Sequence, residues 1–184
     1  KAGKRVGRLH TGDPSVYGAH REQMDALQAA GVPFAVCPGV SSFFGAAASL
    51  GAEYTLPGVS QTVILTRAAG RTPVSEKESL SALAAHGASM VLFLSAGRVA
   101  EAVSELLAGG YYTNETPAAV VYKTTWPDER ILRTTLGELA KDAEAAGITK
   151  TALLLIGDFL GAAYENSKLY DPSFTTEFRE GKQA

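Results

Sequence analysis

Apolar runs of strand length alternate along the chain with stretches of helical period. "VGRLH", "VPFAVCP", "QTVILTR", "SMVLFLSA", "AAVVYK" and "KTALLLIG" read as strands. Between two of them, "GRVAEAVSELLAGG" places Val99, Val103, Leu106 and Leu107 on one helical face. Such alternation predicts α/β units on a largely parallel sheet. In the first part, "TGDP" is a turn, and Pro14 to Ala30 a helix with Asp13 as N-cap, Pro14 at its first position and Gly31 beyond its end. "GVSSFFGAAASLGA" is a second turn and helix, which Ser41 or Ser42 can cap.

"EYTLPGVS" interrupts the rhythm, and Pro57 with Gly58 mark a hinge. Three units follow from it: residues 1–57, the later part of an N-terminal α/β domain; 58–160, a C-terminal α/β domain; and 161–184, an extended arm. In the second unit, Ser75 with Glu78 and Thr135 with Glu138 have capping-box spacing, ahead of helices at Glu76 to His86 and in "GELAKDAEAAG". "ERILRTTL" is a strand separated from "AAVVYK" by the loop "TTWPD". From Asp158 the chain turns polar and aromatic and ends "SKLYDPSFTTEFREGKQA".

Composition narrows the chemistry. With 184 residues, 46% of them hydrophobic, the chain can bury one sizeable core or two small ones. A net charge of -2 and a pI near 5.9 give no global electrostatic case for nucleic acid or an anionic membrane as partner. The single cysteine, Cys37, cannot form an internal disulfide and reads as a small core residue of an apolar strand. No apolar run approaches membrane-spanning length, and a reducing, cytoplasmic setting fits.

In an open α/β sheet, ligands bind beyond the carboxyl ends of strands. "TGDP" and "PGVSS" are both expected there. Gly12 and Gly39 let the backbone approach a ligand, and Asp13, Ser41 and Ser42 add polar partners. Each turn alone reads equally well as a capped turn; two on consecutive strands point towards a site. His10, His20 and His86 lack metal-ligand spacing, and neither a G-x-S-x-G elbow nor a G-x-x-x-x-G-K-[ST] loop occurs. No catalytic side chain or metal site is assigned. Arg8, Arg67, Arg71 and Lys123 stand at strand ends, where they are either solvated or suited to a carboxylate- or phosphate-rich ligand.

Taken together, "RLHTGDPSVYGA", "PGVSSFFGAAA", "QTVILTRAAGRTPV", "VVYKTTWPDERILRTTL" and "SKLYDPSF" resemble the tetrapyrrole methylases of cobalamin biosynthesis. "TGDP" and "PGVSS" mark the superfamily. "VILTRAAGRTP", "YKTTWPDE" and the arm mark its precorrin-4 or cobalt-precorrin-4 C11-methylating subgroup. The resemblance implies two α/β domains with the ligand cleft between them, and methyl transfer from S-adenosylmethionine to a ring carbon of a carboxylate-rich tetrapyrrole, leaving S-adenosylhomocysteine. It implies that Thr11, Gly12, Asp13, Val16, Ser41 and Ser42 line the donor pocket. Leu94, Ser95, Tyr122, Thr124 and Ala152 are implied as the second domain's contribution. Arg8 matches an arginine on the tetrapyrrole side, and Arg67, Arg71 and Lys123 are assigned to substrate carboxylates on their charge.

The resemblance also implies a homodimer. Family members begin with a strand, a G-x-G-P-G type loop and further βα units that do not precede Lys1. An incomplete first domain is therefore expected, with an unpaired sheet edge and with activity residing in the longer gene product. Two other readings stand beside this one: a sister methylase acting at another ring position or on uroporphyrinogen III, and a non-catalytic ligand-binding fragment.

Overall fold

The computed structural model describes residues 3–161, 163–167 and 171–181. Five strands form one sheet: β1 at Val63–Arg67, β2 at Ser89–Phe93, β3 at Pro117–Tyr122, β4 at Arg130–Thr135 and β5 at Ala152–Ile156. Their order is β1-β2-β5-β3-β4. Only β1 and β2 pair in parallel; β5 runs antiparallel to both β2 and β3, and β3 antiparallel to β4. The sheet is thus mixed, where the alternation predicts a largely parallel one. The loop from Lys123 to Glu129 is too short for a crossover, so β3 and β4 must form a hairpin. The last strand then enters the gap between β2 and β3 in the opposite direction. As a result the carboxyl ends of β1, β2 and β3 meet the amino ends of β4 and β5 at one edge.

Both faces of the central strands are covered, which accounts for their unbroken apolar runs. Met90, Leu92, Ala118, Val120, Leu154 and Ile156 point to one face. There they meet α3 (Leu80–Ala84), α4 (Val99–Ala108) and α5 (Leu139–Ala145) through Leu80, Ala84, Val99, Leu106, Leu139 and Ala143. Val91, Phe93, Ala119, Val121, Leu153 and Leu155 point the other way, onto Ala46 and Leu50 of α2 (Ser42–Leu50), Tyr54 and Phe159. Burying each such side chain contributes roughly 1.5–3 kcal/mol, so the sheet and its two covers hold most of the stabilising area.

Residues before α2 depart from the expected pattern. "VGRLH" and "VPFAVCP" form no strand; Val6 and Leu9 are 89% and 97% exposed, and Cys37 is exposed rather than buried in a core. A strand needs a neighbour for its N–H and C=O groups, and neither segment has one among the described residues. The helix predicted from Pro14 is a turn over 14–17, followed by α1 at Arg21–Ala29. Tyr17 and Ala19 have φ of 54° and 48°, which no helix accommodates.

The two capping boxes also resolve differently. Glu76–Glu78 is a single 3-10 turn, and Ser79 rather than Ser75 caps α3, its Oγ accepting from the Ala82 amide at 3.2 Å. Glu138 sits at the N-cap of α5 without a capping bond and pairs with Lys141 instead, while buried Leu139 anchors the helix. Within the "SKLYDP" segment, Lys168, Leu169 and Tyr170 lie outside the described residues.

Candidate functional site

The edge where the strand ends converge is hollow. A cavity of about 540 Å³ lies between the ends of β2 and β3, the start of β5, and the first residue of α2. Thr11, Ser42 and Phe93 line it and also line a neighbouring cavity of about 280 Å³ formed by the first turn. Through Tyr17 that second space adjoins a third, about 310 Å³, bounded by β1 and the 3-10 turn. The three adjoin one another through these shared walls and together form a trough.

Backbone geometry builds the middle of it. Asp13 Oδ1 accepts from the Ser15 amide at 2.8 Å and from the Ser15 hydroxyl, and Oδ2 accepts from the Gly39 amide at 2.6 Å. One carboxylate thereby ties "TGDP" to "PGVSS". The turns also touch directly, since a Cβ on Gly39 would fall 2.1 Å from the Gly12 carbonyl oxygen. Gly12 itself has φ of 67°. The Ser15 side chain first, then the Gly39 and Ser15 amides, hold the Asp13 carboxyl below its ordinary pKa.

The trough gathers many of the residues singled out from sequence. Thr11, Gly12, Asp13, Val16, Ser41 and Ser42 line the middle cavity, and Leu94, Lys123, Thr124 and Ala152 line the 540 Å³ cavity beside it. Leu94 has φ of 53° and is 76% exposed, an apolar side chain held over the opening. Others lie elsewhere. Ser95 is fully buried, donating to the Phe93 carbonyl and accepting from the Ala68 amide, both at 2.8 Å, so it joins the ends of β1 and β2.

The Tyr122 ring lies under Arg130, 4.7 Å from guanidinium carbon to centroid, and is not part of the cavity wall. The Arg67 guanidinium donates to the Ala68, Thr72 and Pro73 carbonyls and faces the third space. Arg8 donates to the Gln23 side chain on the surface, and Arg71 is exposed. Lys123 pairs with Asp128, whose hydrogen bond raises the lysine pKa, and its ammonium lies 5.3 Å from the Trp126 ring centroid.

Residues 1–140 match the family model for tetrapyrrole (corrin/porphyrin) methylases. The chain belongs to the tetrapyrrole methylase family. It is 52% identical to the cobalt-precorrin-4 C(11)-methyltransferase of Methanocaldococcus jannaschii, over 97% of the chain and 69% of that relative. The precorrin-4 C(11)-methyltransferase of Pseudomonas aeruginosa is 42% identical over 99% of the chain and 72% of its own length. An X-ray structure of a cobalt-precorrin-4 methyltransferase superposes with a TM-score of 0.82 at 48% identity, covering 84% of the chain and 64% of that structure. The chain thus spans under two thirds of the solved relative.

For a tetrapyrrole methylase the trough holds several residues that the sequence did not single out. Phe93, Val121 and Leu153 supply apolar wall, Trp126 is 53% exposed beside it, and Thr149, Lys150 and Thr151 close one side. The last three precede β5, and they reach the site only because β5 is antiparallel. A parallel reading sends them to the opposite edge. Trp126 carried a readable signal, as a lone tryptophan in a polar loop.

Proposed function

We propose that the chain serves the S-adenosylmethionine-dependent methylation of C11 of precorrin-4 or cobalt-precorrin-4, a step of cobalamin biosynthesis. Identity of 52% along 97% of the chain to an enzyme of that name carries the reading. The trough fits the donor. It offers apolar wall for an adenine at Phe93, Leu94, Val121 and Leu153, and hydroxyls and turn backbone for ribose and amino-acid groups at Thr11, Gly12, Ser41, Ser42 and Thr124. We place Asp13 behind that surface, shaping it, with Val16 and Ala152 as packing contacts.

Bound there, the donor supplies a methyl group on a sulfonium sulfur for a nucleophilic ring carbon of the tetrapyrrole, leaving S-adenosylhomocysteine. Because that nucleophile is a substrate atom, the chain's work is alignment and exclusion of water. Turn backbone and hydroxyls fix the donor's orientation, and the apolar walls keep water from the reacting atoms. The ammonium groups of Lys123 and Lys150 at the larger cavity, and Arg67 at the third space, give substrate carboxylates a place to bind. Arg8 and Arg71, both exposed and outside the three cavities, belong to this reading through their charge alone.

A homodimer and a cytoplasmic setting belong to the same reading. The lone cysteine supports the second, and the outer edges of β1 and β4 leave surface for a partner copy. Sedimentation velocity tests the dimer.

The activity is tested by incubating the chain, joined to the N-terminal βα units that the family carries ahead of it, with S-adenosylmethionine and cobalt-precorrin-4 or precorrin-4. S-adenosylhomocysteine is then quantified, and the methylated carbon is located by mass spectrometry and NMR. Methylation at C11 is expected. Methylation at another ring carbon would assign the chain to a sister methylase, and tight S-adenosylhomocysteine binding without turnover would make it a ligand-binding module.

A further inference from the structure

The loop between β3 and β4 is an unusual piece of backbone. Lys123 and Thr125 have φ of 48° and 68°, left-handed conformations that a lysine and a β-branched threonine adopt only when their surroundings hold them. Three of its residues, Lys123, Thr124 and Trp126, line the larger cavity. What holds the loop lies on its far side.

Glu129 Oε2 accepts from the Thr125 amide at 2.6 Å and from the Ser49 hydroxyl at 3.0 Å. Ser49 is in α2, and its Oγ lies 3.4 Å from Thr124 Oγ1. One turn earlier on the same helix face, Gly45 leaves room for the loop: a Cβ there would come within 3.1 Å of Thr124 Oγ1 and 3.4 Å of the Thr124 and Thr125 methyl groups. The Arg133 guanidinium, in β4, adds a second tie by donating to the Leu50 carbonyl at the end of α2. Glu129 itself does not line the cavity.

We infer that Glu129 is a positioning residue: one of its oxygens clamps the β3–β4 loop to α2, fixing Thr124 and Trp126 against the same cleft that α2 enters through Ser42. A single rigid helix then carries one cleft residue at its start and the loop's anchor near its end, so both walls of the cavity keep a constant spacing. The carboxylate suits the task because one acceptor oxygen, Oε2, meets a backbone N–H and a hydroxyl together; the bonds from Thr125 and Ser49 also hold its pKa below the usual value. The ligand half of this inference rests on the methyl-donor reading given above. The loop half stands without it.

Trp126 is the only tryptophan in the chain, so its fluorescence reports the loop directly. In the 184-residue chain, Glu129→Ala is expected to shift its emission to the red and lower its anisotropy, while the far-ultraviolet circular dichroism stays that of the parent. Calorimetric titration is expected to show S-adenosylhomocysteine binding weakened about tenfold, as for loss of a charge-assisted hydrogen bond. Ser49→Ala should give a smaller change in the same direction, and Glu129→Gln, which keeps one acceptor oxygen, should lie between parent and alanine.

Unchanged Trp126 anisotropy in Glu129→Ala, or in the two milder variants should the alanine variant fail to fold, would overturn the clamp. Loosened anisotropy with unaltered ligand affinity would overturn the positioning role. If the parent chain itself binds no S-adenosylhomocysteine, the methyl-donor reading fails and takes the ligand half with it. The anisotropy still decides whether Glu129 holds the loop.

Discussion

Asp13 divides its two carboxylate oxygens between two turns, and that division makes it hard to replace. Oδ1 serves Ser15 and Oδ2 serves Gly39. In Asp13→Asn, one oxygen becomes an amide donor and must face an N–H group at one of the turns, so one tie is lost whichever way the side chain lies. Affinity for S-adenosylhomocysteine is expected to fall by about three- to tenfold, which calorimetry measures directly. Unaltered affinity would remove the tie from the site.

The pH dependence follows from the sign of the shift. The folded pKa of Asp13 is depressed, so its contribution is complete above the unfolded value of about 3.9 and is lost as the pH falls through the folded value. The difference in urea midpoint between parent and Asp13→Asn should therefore be level from about pH 7 to 5 and shrink below about pH 4. A difference that stays constant through the acid range would mean that the charge contributes nothing. The sequence marks Asp13 as a cap through its place before Pro14, but nothing local names Gly39 as its second partner. That contact depends on two turns meeting in space.

Among the elements, the five strands and the helices α2 to α5 were legible because apolar period and strand length agree there with burial on both faces. Strand direction was not. Alternation of strands and helices suggests crossovers, whereas the length of the Lys123–Glu129 loop decides for a hairpin, and only the assembled sheet shows β5 between β2 and β3. Ser95 illustrates how the elements share one edge. Its hydroxyl bridges the ends of β1 and β2, and the helix after it begins with Val99 buried. Replacing it by alanine leaves the buried Ala68 amide and Phe93 carbonyl without that partner. The loss should be about 1–3 kcal/mol in urea unfolding. A change below about 0.5 kcal/mol, the scale of ordinary surface substitutions, would show that the bridge adds no stability.

At the scale of the whole molecule, stability is unevenly spread. Met90, Leu92, Leu154, Leu155 and Ile156 are fully buried between the two covers of the sheet, whereas α1 buries none of its residues and every residue from Gly31 to Val40 is exposed. The apolar runs before α2 have the composition of strands, but composition cannot supply a neighbour to pair with. The trough is nonetheless built from both regions: Thr11 to Val16 comes from the loosely packed part, and Leu94 and Ala152 from the rigid one.

Hydrogen exchange by mass spectrometry should resolve this difference. Amides of β2, β3 and β5 are expected to open only with global unfolding, while those of 4–10 and 31–38 exchange close to the unprotected rate. S-adenosylhomocysteine should then slow exchange at Thr11 to Val16 and at Ser41 and Ser42, with little effect on strands already protected, because a ligand stabilises most where local opening competes with binding. Equal protection of 31–38 and β5 in the free chain would refute the uneven distribution. Ligand protection confined to the strand ends would leave the first turn outside the donor site.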